Sequence, residues 1–179
     1  MFELLIQTLV GSWPISEERL TAYLLKAARE TKLRTRWTEP DAAYESAVTA
    51  LAAGALADPE VTEPVAQLVG ELLPAARAAS LAQVLLRLTV PGVPDTYQGT
   101  ELWDASLVDP DNRRPVDFDR RAALLDAPAD APEAGSLARD GEGAVKLWTI
   151  RQALSLRHRH PDAFLHSHQP NPSTTLPAL

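Results

Sequence analysis

The 179-residue sequence predicts an α/β fold that is mostly helical, with one short strand end near its middle. Three observations predict it. Apolar residues recur at helical spacing through most of the stretch before Val90. At Val90 the texture changes: Val90, Val93, Thr96 and Tyr97 stand among Pro91, Gly92, Pro94 and Gly99, which suits a strand end running into loops. Helical spacing then returns from Val145 to Pro161.

The elements follow in order. Residues 1–10 read as the end of a helix with Leu4, Leu5, Thr8 and Leu9 on one face, stopped by Gly11 and Pro14. Ser16 can cap the next helix, whose Leu20, Leu24, Ala27 and Ala28 share a face and which ends between Thr31 and Leu33. Thr38, Glu39, Pro40 and Asp41 signal another start, with Pro40 early in the helix and an acid favoured by the helix dipole. Alanine carries that helix to about Leu56, where Asp58 and Pro59 break it. Residues 60–73 and 75–88 read as two helical segments hinged at Pro74, because an internal proline removes one backbone donor and crowds the preceding turn. Pro91 and Pro94 exclude a long central strand before Asp95. Residues 126–143, rich in Ala, Pro, Asp and Gly, suit a mobile connection.

The last helix carries Val145, Trp148, Ile150, Ala153, Leu154 and Leu156 as its apolar positions. Arg151, Arg157 and Arg159 are left to face water or carboxylates. The closing residues, HSHQPNPSTTLPAL, lack periodicity and are expected to be disordered.

Composition bounds the function. An apolar share of 45% suits one globular domain with a sizeable core. The formal charge of −7 opposes binding to nucleic acid or to an anionic membrane surface. Cysteine is absent, which excludes a disulfide scaffold and thiolate chemistry and fits a reducing compartment. The apolar runs read as too short and too interrupted to cross a bilayer, and the first residues show no leader pattern. A cytoplasmic setting is expected.

The chemistry concentrates between Val90 and Phe118. Asp95, Tyr97, Gln98 and Glu101 combine hydrogen-bonding groups with one aromatic face. Sugars bind to that mixture, since hydroxyls need polar partners and a pyranose face packs on an aromatic ring; a plain polar turn is the competing reading. Asp109, Asp111, Asn112, Arg113, Arg114 and Asp117 form a second cluster, stiffened by Pro110 and Pro115. It is either a rigid binding loop or an internal network in which the arginines pair with the carboxylates.

Other sites are poorly supported. His158, His160, His166 and His168 lie close together, but the spacing is wrong for zinc and no HExxH pattern accompanies them. A calcium loop starting at Asp109 would need Gly and Glu where Arg114 and Arg120 stand. No Gly-rich phosphate loop and no GxSxG elbow occurs. Neither a metal nor a cofactor is expected. Trp13 and Trp37 are expected in the core, while Trp103 could stack on sugar or be buried.

The stretch VPGVPDTYQGTELWDASLVDPDNRRPVDF closely resembles the late barrel segment of the malto-oligosyltrehalose synthase family, within the alpha-amylase superfamily. QTLVGSWP, KAARETKLRTRWTEPDAAYE and KLWTIRQALSLRHRHPDAF resemble the same family, so that the resemblance covers nearly the whole chain to Phe164. It implies a mostly helical partial (β/α)8 barrel containing the last barrel strand and helix with a helical elaboration before them. Residues 1–89 would be the insertion after strand seven. Residues 90–164 would be strand eight, its active-site loops and helix eight, and 165–179 a disordered tail.

The resemblance also implies an activity, the intramolecular transglycosylation that turns the reducing-end α-1,4 bond of a maltodextrin into an α,α-1,1 bond in trehalose biosynthesis. That chemistry follows retaining glycoside logic, with two carboxyl groups about 5 to 5.5 Å apart. The family's catalytic acids lie on strands four, five and seven, the last in an HDTK-like motif, and no acid of this chain matches them. A C-terminal portion inactive by itself is therefore expected, with the N-terminal barrel portion as partner and a maltodextrin or maltooligosaccharide as ligand. Tyr97, Gln98, Glu101, Asp109, Asn112 and Arg113 are the candidate substrate contacts, and no catalytic residue is assigned. A noncatalytic helical interaction module or gene remnant is the alternative.

Overall fold

The computed structural model describes residues 1–126 and 141–165. Seven α-helices are formed among them: α1 (Phe2–Ser12), α2 (Glu17–Thr31), α3 (Ala42–Ala57), α4 (Pro59–Thr89), α5 (Phe118–Asp126), α6 (Ala144–Arg159) and α7 (Asp162–Leu165). A 3-10 turn occupies Asp111–Arg113. No strand is formed among the described residues, so the expected strand end at Val90 is corrected. Residues 93–97 run without regular structure. Pro91 and Pro94 offer no N–H to a ladder, and a strand exists only where a second one pairs with it.

The helix starts obey local chemistry. The Ser16 hydroxyl accepts from the Arg19 amide at 3.3 Å and caps α2, while Lys32 closes it at φ 57° with its amide donating to the Arg29 carbonyl. Asp41 is the cap of α3, accepting from the Tyr44 amide at 3.0 Å. Pro40 thus precedes the helix instead of entering it. Helix α1 runs two residues beyond its expected end, through Gly11 to Ser12, whose hydroxyl donates to the Thr8 carbonyl.

Helix α4 departs most from expectation, being continuous over 31 residues. Pro74 does not break it. Pro59 fits the first turn, and the alanines after Pro74 are the strongest helix formers, which offsets a proline cost of roughly 3 kcal/mol. By length and composition α4 could cross a bilayer, contrary to the reading of short interrupted runs. Arg77 near its middle opposes insertion by about 2.5–3.5 kcal/mol.

The chain divides into two compact units, Met1–Leu73 with Ala105–Pro115, and Pro74–Asp104 with the described residues from Val116 onward. The boundary falls at Pro74, inside α4. In the first unit α2 packs on α3, and Leu5, Leu9, Leu20, Leu24, Val48 and Ala52 form the core. Each buried leucine contributes roughly 1.5–3 kcal/mol. Trp13 packs against this core as expected. Trp37 does not; it is 59% exposed, with the Arg29 guanidinium 4.8 Å from its ring centre.

In the second unit Val84 and Leu88 of α4 meet Ile150 and Ala153 of α6. Leu154 and Leu156 are exposed instead of joining that core. Arg157, expected to face water or carboxylates, is part-buried and donates to the carbonyls of Leu88 at 3.0 Å, Val90 at 3.2 Å and Gly92. It so satisfies the last turn of α4. The tail at 166–179 and most of the connection at 126–143 lie outside the described residues.

Candidate functional site

The six residues singled out by sequence fall in different units. Asp109, Asn112 and Arg113 belong to the first, and Tyr97, Gln98 and Glu101 to the second.

In the first unit the loop from Ala105 to Pro115 is organised by Asp111. Its carboxylate takes a two-pronged ion pair from Arg19 of α2, Nε to Oδ1 and Nη2 to Oδ2, both at 2.8 Å. The Leu107 amide donates to Oδ2 at 2.7 Å, and Arg114 Nε lies 3.3 Å from Oδ1. The Arg19 hydrogen bond, against the cost of burial and with help from the Leu107 amide, holds this carboxyl below the usual range. Asp109 pairs with Arg113, which lowers its pKa as well, and Lys26 donates to the Asp109 carbonyl. The internal network is therefore formed. Asn112 Oδ1 is buried and has no hydrogen-bond partner among the described residues.

A cavity of about 360 Å³ opens beside this network, between α2 and residues 108–114. Glu18, Arg19, Tyr23 and Lys26 line it from the helix, and Val108, Asp109, Asp111 and Arg114 from the loop. Sequence reasoning identified the loop but missed the α2 residues. Arg19 and Asp111 are 92 positions apart, and no local pattern links them.

In the second unit Tyr97 and Gln98 are exposed on a turn closed by the Thr100 amide and hydroxyl, which donate to the Tyr97 carbonyl at 3.2 and 2.7 Å. Glu101 is engaged: Arg121 of α5 donates from Nε at 3.0 Å, and its Nη2 reaches the Gly99 carbonyl at 2.8 Å. Gly99 has φ 90°, a conformation that favours glycine. Asp95 is exposed.

Trp103 is part-buried, with Arg77 at 5.5 Å and Lys146 at 5.8 Å from its ring centre. The Lys146 side chain is buried and donates to the Leu102 carbonyl at 3.0 Å. Burial lowers its pKa, with Asp104 opposing.

Among the described residues no group of three or more His, Asp, Glu or Cys could hold a metal ion. His158 and His160 are exposed at the end of α6 and just beyond it; His166 and His168 lie outside the described residues. Chemically the first loop offers paired charges, and the second the exposed Gln98 amide and the rings of Tyr97 and Trp103. Such groups are chemically able to hydrogen-bond a polyhydroxylated ligand.

No family model matches the chain. Its sequence is 42% identical over 170 residues to a putative maltooligosyl trehalose synthase of Mycobacterium tuberculosis, a match covering 91% of this chain and 20% of the relative. The maltooligosyltrehalose synthase of Arthrobacter ramosus is similar in structure, with a TM-score of 0.79 and 47% identity, covering 90% of this chain and 21% of that one. A second solved maltooligosyl trehalose synthase gives a TM-score of 0.81 at 30% identity, over 90% of this chain and 23% of the other. The chain thus spans about a fifth of the length of the curated relatives it matches.

Proposed function

We propose that this chain, related over nine-tenths of its length to maltooligosyl trehalose synthases, is the glucan-contacting C-terminal portion of such an enzyme. The whole enzyme would carry out intramolecular transglycosylation of a maltodextrin to maltooligosyl trehalose in trehalose biosynthesis, in the cytoplasm. The single observation that carries this is the 42% identity over a match that covers 91% of this chain.

Residues 1–89 would be the helical insertion after a seventh barrel strand, and 90–164 the eighth strand with its loops and helix. The lack of regular structure at 93–97 is in keeping with a strand whose neighbours belong to another part of the barrel. Tyr97, Gln98, Glu101, Asp109, Asn112 and Arg113 would contact glucan. The chain would lack the catalytic carboxylates and be inactive alone. In support, Glu45, Asp109 and Asp111 are each paired with an arginine, Arg29, Arg113 and Arg19 respectively, as structural carboxylates are.

The second reading, a noncatalytic helical module, is favoured by the exposed Leu68, Leu72 and Leu73 on the first half of α4 and Leu85 and Leu86 on the second. The two readings separate on ligand binding. Maltopentaose titrated into the labelled full chain should shift the amide resonances of 97–101 and 109–113; a titration that moves neither loop would favour the module.

A further inference from the structure

Resting on the glucan reading above, we propose that the cavity between α2 and residues 108–114 is a subsite for a neutral glucosyl end, with Tyr23 as its ring platform. No sequence signal drew attention to this face of α2.

Charge excludes the main competitors. The lining carries three cations, Arg19, Lys26 and Arg114, and three anions, Glu18, Asp109 and Asp111, so the formal charge cancels. Each cation is already engaged, Arg19 and Arg114 with Asp111 and Lys26 with the Asp109 carbonyl, which leaves little to attract a phosphate. Asp109 and Asp111 are spent on guanidinium groups, so a metal ion would have to displace an arginine. A neutral ligand meets no such competition.

The remaining surface suits a pyranose. Tyr23, Ala22, Val108 and Pro110 give the cavity an apolar side that can take the C–H face of a sugar ring. Glu18 and the charged network supply acceptors and donors for hydroxyls at fixed positions, because the loop is tied to α2 through Arg19 and Lys26. The volume of about 360 Å³ lies at the small end of ligand pockets, which run from roughly 300 to 1,000 Å³. A chain end fits this volume better than a long glucan laid across it.

The test uses the full chain, with maltotriose as the probe, read by calorimetry. Tyr23→Ala should weaken binding about 5- to 10-fold, whereas Tyr23→Phe, which keeps the ring, should restore it to within about 2-fold. Tyr23 also packs against the core, so Ala22→Trp serves as a second variant, filling the cavity from an exposed position without removing a contact. It should abolish binding with the helical signal unchanged. Maltotriose bound equally by Ala22→Trp and the parent would overturn this subsite while leaving the glucan reading intact. No binding by the parent would overturn both.

Discussion

Arg19 of α2 and Asp111 of the 3-10 turn share two parallel hydrogen bonds of 2.8 Å, and this pair fastens the loop of residues 105–115 to the helix. Arg19 Nη2 also donates to the Ala105 carbonyl at 3.0 Å, so one guanidinium fixes both the start and the middle of the loop. Planar, two-pronged geometry gives such a contact direction as well as energy. The candidate residues Asp109, Asn112 and Arg113 take their positions from it.

Replacing Arg19 by Met should therefore cost about 1–3 kcal/mol, since it leaves a part-buried carboxylate short of its main partner. Urea unfolding of the full chain measures this. A loss below about 0.5 kcal/mol would mean the pair is ornamental, as most exposed ion pairs are.

Acid should loosen the first unit through Glu45. Arg29 and then Thr35 hydrogen-bond its carboxylate and lower its pKa from 4.5 to about 2. The folded value lies below the unfolded one, so the stabilisation is fully present above about pH 4.5 and is lost as pH falls toward 2. Melting temperatures recorded between those limits should fall less steeply in Glu45→Gln than in the parent. Parallel slopes would contradict the assignment.

Two glycines should respond with opposite signs. Gly143 has φ 100°, and a Cβ there would lie 2.4 Å from the Trp103 backbone nitrogen, so Gly143→Ala should destabilise by at least about 2 kcal/mol. Gly54, helical and exposed in α3 with open space around it, should gain about 0.5–1 kcal/mol on change to Ala. Calorimetric melting of both variants checks the pair.

Arg121 should prove to be the organiser of the Tyr97 turn. Its removal in Arg121→Ala frees the Glu101 carboxylate and the Gly99 carbonyl together. Hydrogen exchange at residues 99–102 should quicken while α6 remains protected; unchanged exchange would show that the turn holds itself.

What sequence could reveal followed the range of the interaction. Ser16 was readable as a cap because the group it accepts from is three residues away, whereas Asp41, expected inside the first turn as an acid favoured by the dipole, is itself the cap of α3. Helix α4 was misread because Pro74 is a local breaker, while the alanines that carry the helix past it count only when summed. The strand end at Val90 failed because pairing depends on a second strand that no local pattern can promise. In the site, the loop residues were visible by density of polar chemistry, yet Arg19 and Arg121 were not. Their partners lie 92 and 20 positions away, and a lone arginine on a helix reads as a solvated charge. Helix α5, whose start is capped by Asp117 accepting from the Arg120 amide at 2.8 Å, also went unread, because the polar run before it was taken to end at Phe118.

On the proposed reading, this chain would complete a glucan-converting enzyme without supplying its catalytic acids. The most direct measurement follows loss of reducing ends from maltopentaose, with the purified chain alone and mixed with a separately expressed N-terminal piece of a full synthase. Reducing ends should be lost in the mixture and with neither piece alone. Loss with this chain alone, or none in the mixture, would contradict that reading.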